Sequence, residues 1–148
     1  MSTLKYDLHP SAKAELTALA RSADTGERRA AAQLLRLLEL AQSNPSIRER
    51  LMATWETVTV SNAAGETQQV DIKLIKSLKD IADDQRYQTD AIRRIRDLTQ
   101  KPADTYRVFY AQRPTRKGCF IFQVLGVFHR DEAYSSTTLS ELKKRYEN

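Results

Sequence analysis

The chain has 148 residues, of which 24 are Lys or Arg and 19 are Asp or Glu, giving a formal net charge of +5. Hydrophobic residues make up 41% and charged residues 29%, a composition that excludes an intrinsically disordered chain. The length suits one domain covering residues 1–148. We expect no secretion signal, because Met1–Asp7 has no apolar core, and no membrane span, because no stretch approaches about 18 consecutive apolar residues. The positive excess favours an acidic partner such as nucleic acid.

Several kinds of catalytic site have no sequence signature here. The chain contains no Gly-rich phosphate loop, CxxC pair, HExxH or GxSxG, and its two histidines are too few for a zinc site. We therefore expect no metal and no cofactor. The single cysteine, Cys119, cannot form an internal disulfide and fits a reducing, cytoplasmic compartment. Its apolar surroundings predict a buried hydrophobe rather than a nucleophile.

The first part of the chain predicts a short strand followed by two helices. Leu4–Leu8 suits a strand, and Pro10 fits the first position of a helix, where its missing N–H costs nothing. Asp24 and Glu27 have capping-box spacing and open the second helix, which should end before Pro45. Apolar residues follow helical spacing in both segments: Ala12, Leu16 and Leu19 in the first, and Ala30, Leu34, Leu37, Leu38 and Ala41 in the second.

The region 54–89 predicts an inserted β-hairpin and a loop. Glu56–Val60 and Gln68–Ile75 suit strands, and Ser61–Glu66 between them has the Asn and Gly that a turn needs. Asp80–Tyr87 is polar and predicts a loop.

Three more strands and a helix complete the predicted order. Ala91–Arg96, Tyr106–Ala111 and Cys119–Val127 suit strands, the last almost continuously apolar and so expected to be central and covered on both faces. A second capping box, Thr138 with Glu141, opens a short final helix. Its apolar face comprises Leu139, Leu142 and Tyr146. We predict an α+β fold, with an N-terminal helical hairpin on one face of a twisted antiparallel sheet and a short C-terminal helix.

Basic and aromatic residues in the second half predict a candidate site. Arg94 and Arg96 point the same way from one strand, with Ile95 towards the helices, so both arginines should face the open side of the sheet. Arg107 lies on the next strand. The loop after the last strand adds three residues that can overhang the same face: His129, Arg130 and Tyr134.

Such a set suits cleavage of a phosphodiester. Arginine binds phosphate oxygens through two parallel hydrogen bonds and stabilises the extra charge of the transition state. An imidazole moves a proton near neutral pH, and a tyrosine stacks on a base or donates a proton. The alternative is structural, with the arginines paired to nearby acids and Tyr134 packed on the last helix.

These segments resemble the RelE/ParE superfamily of type II toxin–antitoxin toxins. The stretch Arg94-Ile-Arg96 looks like the family's basic–apolar–basic strand, and Tyr106-Arg-Val-Phe-Tyr110 looks like its Tyr-Arg strand. The stretch Val124–Tyr134 looks like its last strand and catalytic loop, and the first 44 residues are similar in order alone. Region 54–89 is longer than in compact members, and the 129–134 loop is slightly shorter.

The resemblance implies a toxin neutralised by a cognate antitoxin, with which it forms a hetero-oligomer. In the RelE and HigB branches it implies cleavage of messenger RNA on the ribosome without metal, the 2′-hydroxyl attacking the adjacent phosphate. By position, the phosphate-holding residues are Arg94, Arg96 and Arg107, the basic catalytic group is His129 or Arg130, and Tyr134 is the aromatic. Two alternatives remain: a ParE-like toxin that binds and inhibits DNA gyrase, and a degenerate phage-derived binding module.

Overall fold

The structure is a computed structural model that describes residues 6–43, 58–60, 70–77, 91–97, 101–114 and 120–147. Its elements, in chain order, are β1 (Tyr6–Leu8), α1 (Pro10–Ala20), α2 (Thr25–Ser43), β2 (Val58–Val60), β3 (Val70–Ser77), β4 (Ile92–Asp97), a 3₁₀ turn (Ala103–Thr105), β5 (Tyr106–Pro114), β6 (Phe120–His129) and α3 (Ser136–Glu147). Outside the described residues lie the predicted turn at 61–66, the predicted loop at 80–87 and Cys119.

The six strands form one sheet in the order β1-β6-β5-β4-β3-β2. The α+β class is therefore confirmed, but the sheet is mixed rather than antiparallel. β1 runs parallel to β6, with Tyr6 beside Phe122 and Leu8 beside Val124. The two strands are far apart in sequence, so no tight hairpin forces them to be antiparallel, and an apolar pattern does not encode strand direction.

β3 and β2 form the far edge of the sheet. Val58 pairs with Ile72 and Val60 with Val70 in an antiparallel ladder, as the predicted hairpin requires. β3 then pairs antiparallel with β4, with a register shift between Lys73 and Lys76.

Both predicted N-terminal helices are present and pack on one face of the sheet. Their starts follow the predicted chemistry: Pro10 is the first residue of α1, and the Asp24 carboxylate accepts a hydrogen bond of 2.8 Å from the Gly26 N–H at the start of α2. This face of the core comprises Ala12, Leu16, Leu34, Leu37 and Leu38 from the helices with Ile95, Ala103, Val108, Tyr110, Val124 and Val127.

The opposite face of the sheet is covered by α3, so the expectation that helices occupy one face is wrong. A second buried cluster comprises Ile92, Phe109, Ala111, Leu125, Ala133, Leu139 and Leu142. β5 sends Val108 to the first cluster and Phe109 to the second. Since both its faces are apolar, burial of one face alone would leave the other in water. β6 is also covered on both faces, but it lies next to the edge strand β1 rather than at the centre.

α3 begins at Ser136, two residues before the predicted capping box. The Ser135 hydroxyl accepts a hydrogen bond of 3.2 Å from the Thr138 N–H, and the Ser135 carbonyl accepts one of 2.9 Å from Leu139. Ser135 is therefore the capping residue, and Thr138 is buried inside the first turn. Ser135 and Thr138 both carry a hydroxyl group that can cap a helix, and the packing of α3 on the sheet selects Ser135.

An ion pair joins α1 to α3 around the free edge of β6. Arg145 of α3 donates to both carboxylate oxygens of Glu15 of α1, at 3.0 and 2.9 Å, and to the Leu125 carbonyl at 2.8 Å. The same carboxylate accepts a hydrogen bond of 3.0 Å from the Val127 N–H. β1 pairs with β6 only as far as Val124, so these side chains satisfy backbone groups that β1 leaves uncovered.

Candidate functional site

The closest contact between predicted site residues joins Arg94 to Tyr134. Arg94 lies on β4 opposite Phe109 of β5, and its guanidinium donates a hydrogen bond of 2.7 Å to the Tyr134 hydroxyl. The Tyr134 ring meets the Phe109 ring edge-on, with centroids 6.2 Å apart. Tyr134 is 38% exposed whereas Arg94 is 8% exposed, so the expectation that Arg94 faces an open sheet surface is wrong. The turn before α3 covers it.

Arg107 lies on the same face as Phe109, two residues earlier on β5. It is 6% exposed, and its Nη1 donates to the carbonyls of Asp104 at 2.8 Å and Tyr106 at 3.2 Å. The guanidinium thus holds the 3₁₀ turn that precedes its own strand. Arg107 stabilises local backbone in addition to any role with phosphate.

Arg96 and Arg130 are the two remaining predicted basic residues. Arg96 follows Arg94 on β4 and pairs with Lys73 of β3; its side chain lies outside the described residues. Arg130 is exposed, and its backbone N–H donates a hydrogen bond of 2.7 Å to the Thr105 carbonyl. Its side chain lies 3.9 Å from Asp131, itself 80% exposed, so this ion pair is weak.

His129 lies on the other face of the sheet, so the expectation that it joins the arginines is wrong. It pairs across β6 and β5 with Tyr106, and their rings meet edge-on with centroids 5.5 Å apart. Tyr106 packs against the cluster under α1 and α2. The register of β6 against β5 shifts between Phe109 and Tyr110, and such a bulge re-aims the residues that follow.

His129 instead lines an acidic cleft of about 400 Å³ beside α1 and the start of α2. Its Nδ1 accepts a hydrogen bond of 3.2 Å from the Asp131 N–H. Burial raises the pKa of Tyr106 in this cleft, and the negative charges of Glu27, Asp24 and Glu132 raise it further. A phosphate at this position would be repelled by these carboxylates. Among the described residues, no group of three acidic, histidine or cysteine side chains could hold a metal ion.

Two aromatic residues next to the arginines, Phe109 and Phe128, were not predicted from the sequence as part of the site. Phe109 stacks edge-on with both Tyr134 and Phe128, each with centroids 6.2 Å apart. The alternation of Arg107 with Phe109 along β5 was the available signal, since residues two apart share a face. The site is therefore a basic and aromatic cluster on one face of the sheet, with Tyr134 as its exposed member: Arg94, Arg107, Phe109, Phe128 and Tyr134. The proposed binding surface over this cluster is referred to below as the Arg94–Tyr134 pocket.

Comparison of the chain with protein-family models, curated proteins and solved structures yields no match. In the part of the chain that the structure describes, no helix has the length and apolar character required to cross a membrane.

Proposed function

We propose that this protein is a type II toxin of the RelE/ParE kind that cleaves messenger RNA on the ribosome through the Arg94–Tyr134 pocket. The observation that carries the proposal is the 2.7 Å hydrogen bond from the Arg94 guanidinium to the hydroxyl of Tyr134, an exposed residue. In this proposal the protein acts in the cytoplasm and is held inactive by an antitoxin.

The geometry gives Tyr134 a chemical role. Its oxygen accepts from Arg94, so its own proton points elsewhere and can be donated. When the 2′-oxygen bonds to phosphorus and releases its proton to water, the bond to the 5′-oxygen breaks and Tyr134 protonates that oxygen. The guanidinium beside the hydroxyl stabilises the phenolate left behind. Arg107, on the same face, adds positive charge where the pentavalent phosphate gathers negative charge.

A second candidate is a ParE-like toxin that binds DNA gyrase without cleaving RNA. The burial of Arg94 and Arg107 favours it, because a phosphate cannot reach either guanidinium unless the surrounding chain moves. The position of His129 on the opposite face favours it as well. A degenerate phage-derived binding module has the same structural support.

Toxicity is tested first, by inducing the chain alone in bacteria. Growth should stop, and co-expression of a small neighbouring gene that encodes the antitoxin should restore it. Normal growth at verified expression of folded protein would contradict the proposal.

Cleavage is tested with programmed ribosomes and primer extension on the messenger RNA. Tyr134→Phe keeps the ring on Phe109 but removes the proton donor, so cleavage should fall by about 100- to 1000-fold, as for loss of one transition-state hydrogen bond. Arg94→Lys should also slow cleavage, because one ammonium cannot replace the guanidinium fork.

The matched control is His129→Gln. This residue lies in the acidic cleft, so the variant should cleave at the wild-type rate. Loss of activity in His129→Gln, with Tyr134→Phe fully active, would move the site to the other face of the sheet. No cleavage by the wild type, with inhibition of gyrase supercoiling, would assign the protein to the ParE-like class.

A further inference from the structure

The outward face of α2 carries a concentration of positive charge. Its exposed residues between Thr25 and Glu39 are Thr25, Arg28, Arg29, Ala32, Arg36 and Glu39. Three of these six residues are arginines and one is acidic. The opposite side of the helix is apolar and buried in the core beneath it. The charge therefore faces solvent, on the side of the sheet opposite the Arg94–Tyr134 pocket.

Two of these arginines make no contact that would hold them in place. Within the described residues, the guanidinium of neither Arg29 nor Arg36 makes a hydrogen bond or an ion pair. They are seven residues apart, two turns of helix, which is roughly 10 Å along the axis. Arg28 differs, because its guanidinium donates to the Ser22 carbonyl at 2.6 Å and to the Thr25 hydroxyl at 3.2 Å.

A fourth cation is brought to the same helix by the chain before β5. The Gln33 side chain donates a hydrogen bond of 3.0 Å to the Lys101 carbonyl and accepts one of 3.1 Å from the Ala103 N–H. Gln33 lies between Arg29 and Arg36 in α2, and Lys101 is exposed beside it. Arg28, Arg29, Arg36 and Lys101 are called the α2 basic face below.

We infer that the α2 basic face binds the phosphate backbone of double-helical RNA. Guanidinium groups form paired hydrogen bonds with phosphate oxygens, and a row spanning roughly 10 Å meets several phosphates of one strand. The face reads charge and helical shape rather than sequence, because backbone contacts carry no base information.

The composition of this face argues against a protein or a membrane as its partner. A protein interface is anchored by large apolar or aromatic groups, and the only large hydrophobic residue exposed in the described part of the chain is Tyr134, on the other side of the sheet. A helix that lies on a membrane inserts an apolar side, but the apolar side of α2 is already buried in the core.

The choice of RNA over DNA rests on the proposed function, in which the target is the ribosome. The α2 basic face and the Arg94–Tyr134 pocket lie on opposite faces of the sheet. The protein would then contact RNA on both sides, with messenger RNA at the pocket and a structural RNA helix at α2. Two separate contacts hold the protein on the ribosome more tightly than the pocket alone.

The experiment measures binding of the full chain to a fluorescein-labelled RNA duplex by anisotropy, over a series of salt concentrations. The double variant Arg29→Ala/Arg36→Ala removes the two unheld guanidinium groups. Each lost phosphate contact should lower affinity roughly fivefold at low salt and reduce the slope of log affinity against log salt by roughly one. The matched control is Lys13→Ala/Lys143→Ala, which removes the same charge from exposed positions on the other two helices.

The inference holds if Arg29→Ala/Arg36→Ala lowers both the affinity for the duplex and the salt dependence of that affinity, while the control variant changes neither. An equal loss in the control would overturn it, because net charge alone would then explain the binding. Tighter binding to a DNA duplex, to poly-glutamate or to phosphatidylglycerol vesicles, with the same dependence on Arg29 and Arg36, would also overturn it. The assay does not involve cleavage, so failure of the proposed ribonuclease leaves this result unchanged.

Discussion

The ion pair between Glu15 and Arg145 should contribute more to folding than any charged contact in the candidate site. Arg145→Ala removes three hydrogen bonds that the guanidinium donates, two to Glu15 and one to the Leu125 carbonyl. It also removes the contact of the guanidinium with the Phe128 ring, 5.3 Å from its centroid. Of the hydrogen bonds described above, the partly buried Glu15 carboxylate would then keep only the one from the Val127 N–H.

The magnitude follows from how far the pair is buried. The Arg145 side chain is 10% exposed and that of Glu15 is 24% exposed. Removing one partner of a buried ion pair costs about 3–5 kcal/mol, since the other charge is left desolvated. Water can reach Glu15, so we expect the lower end, about 3 kcal/mol. For a chain of this size the melting temperature should fall by roughly 6–12 °C.

Thermal and urea unfolding, followed by circular dichroism, measure the effect. Lys144→Ala is the matched control, because it removes the same charge from the preceding residue of α3 but from an exposed position; it should stay within about 0.5 kcal/mol of the wild type. In a double-mutant cycle, Arg145→Ala should cost much less in a Glu15→Ala background. A loss below about 1 kcal/mol, or equal losses in both backgrounds, would refute the reasoning.

Three further predictions concern the sheet. Gly126→Ala should cost about 1–3 kcal/mol in urea unfolding, because its Cβ would lie 2.5 Å from the Phe128 ring and 2.8 Å from the Arg145 guanidinium; an unchanged midpoint would contradict this packing of α3. Arg107→Ala should cost about 1–3 kcal/mol through the lost carbonyl contacts, and an unchanged melting temperature would show that they contribute nothing. Burial raises the pKa of Tyr110, opposed in part by Arg93. Ionisation of tyrosine in the unfolded chain should therefore lower stability above about pH 10; Tyr110→Phe should lessen that fall, and equal pH slopes would contradict the argument.

The elements and their apolar faces follow from the sequence. The stripe Leu34, Leu37 and Leu38 is buried as its helical spacing predicts, and Pro10 and Asp24 begin the two helices where their backbone chemistry allows. Those signals are local, because capping and periodicity depend on residues within a turn or two of each other. The near-continuous apolar run of β6 also predicted cover on both faces, and the two core clusters confirm it.

Three residues of the candidate site, Arg94, Arg107 and Tyr134, were named from the sequence, but their arrangement was not. Arg94 and Tyr134 are 40 residues apart in sequence and share a hydrogen bond of 2.7 Å. His129 was expected beside them. A register shift in the β5–β6 ladder comes before His129 along β6, and His129 lies on the other face. A bulge of one residue exchanges the two faces of a strand, and the alternating pattern cannot show where it occurs when both faces are apolar.

The sequence alone determined the class of fold, the starts of α1 and α2, the apolar stripes and the excess of positive charge, because each depends on composition or on neighbours along the chain. Tertiary structure decided the parallel pairing of β1, the placement of α3 on the second face and the pairing of Arg145 with Glu15. The first and the last of these depend on groups more than 100 residues apart, as does the hydrogen bond between Val127 and Glu15, separated by 112 positions. Such contacts form only when the sheet brings the two ends of the chain together, and backbone groups left uncovered at a strand edge then select the side chains that satisfy them.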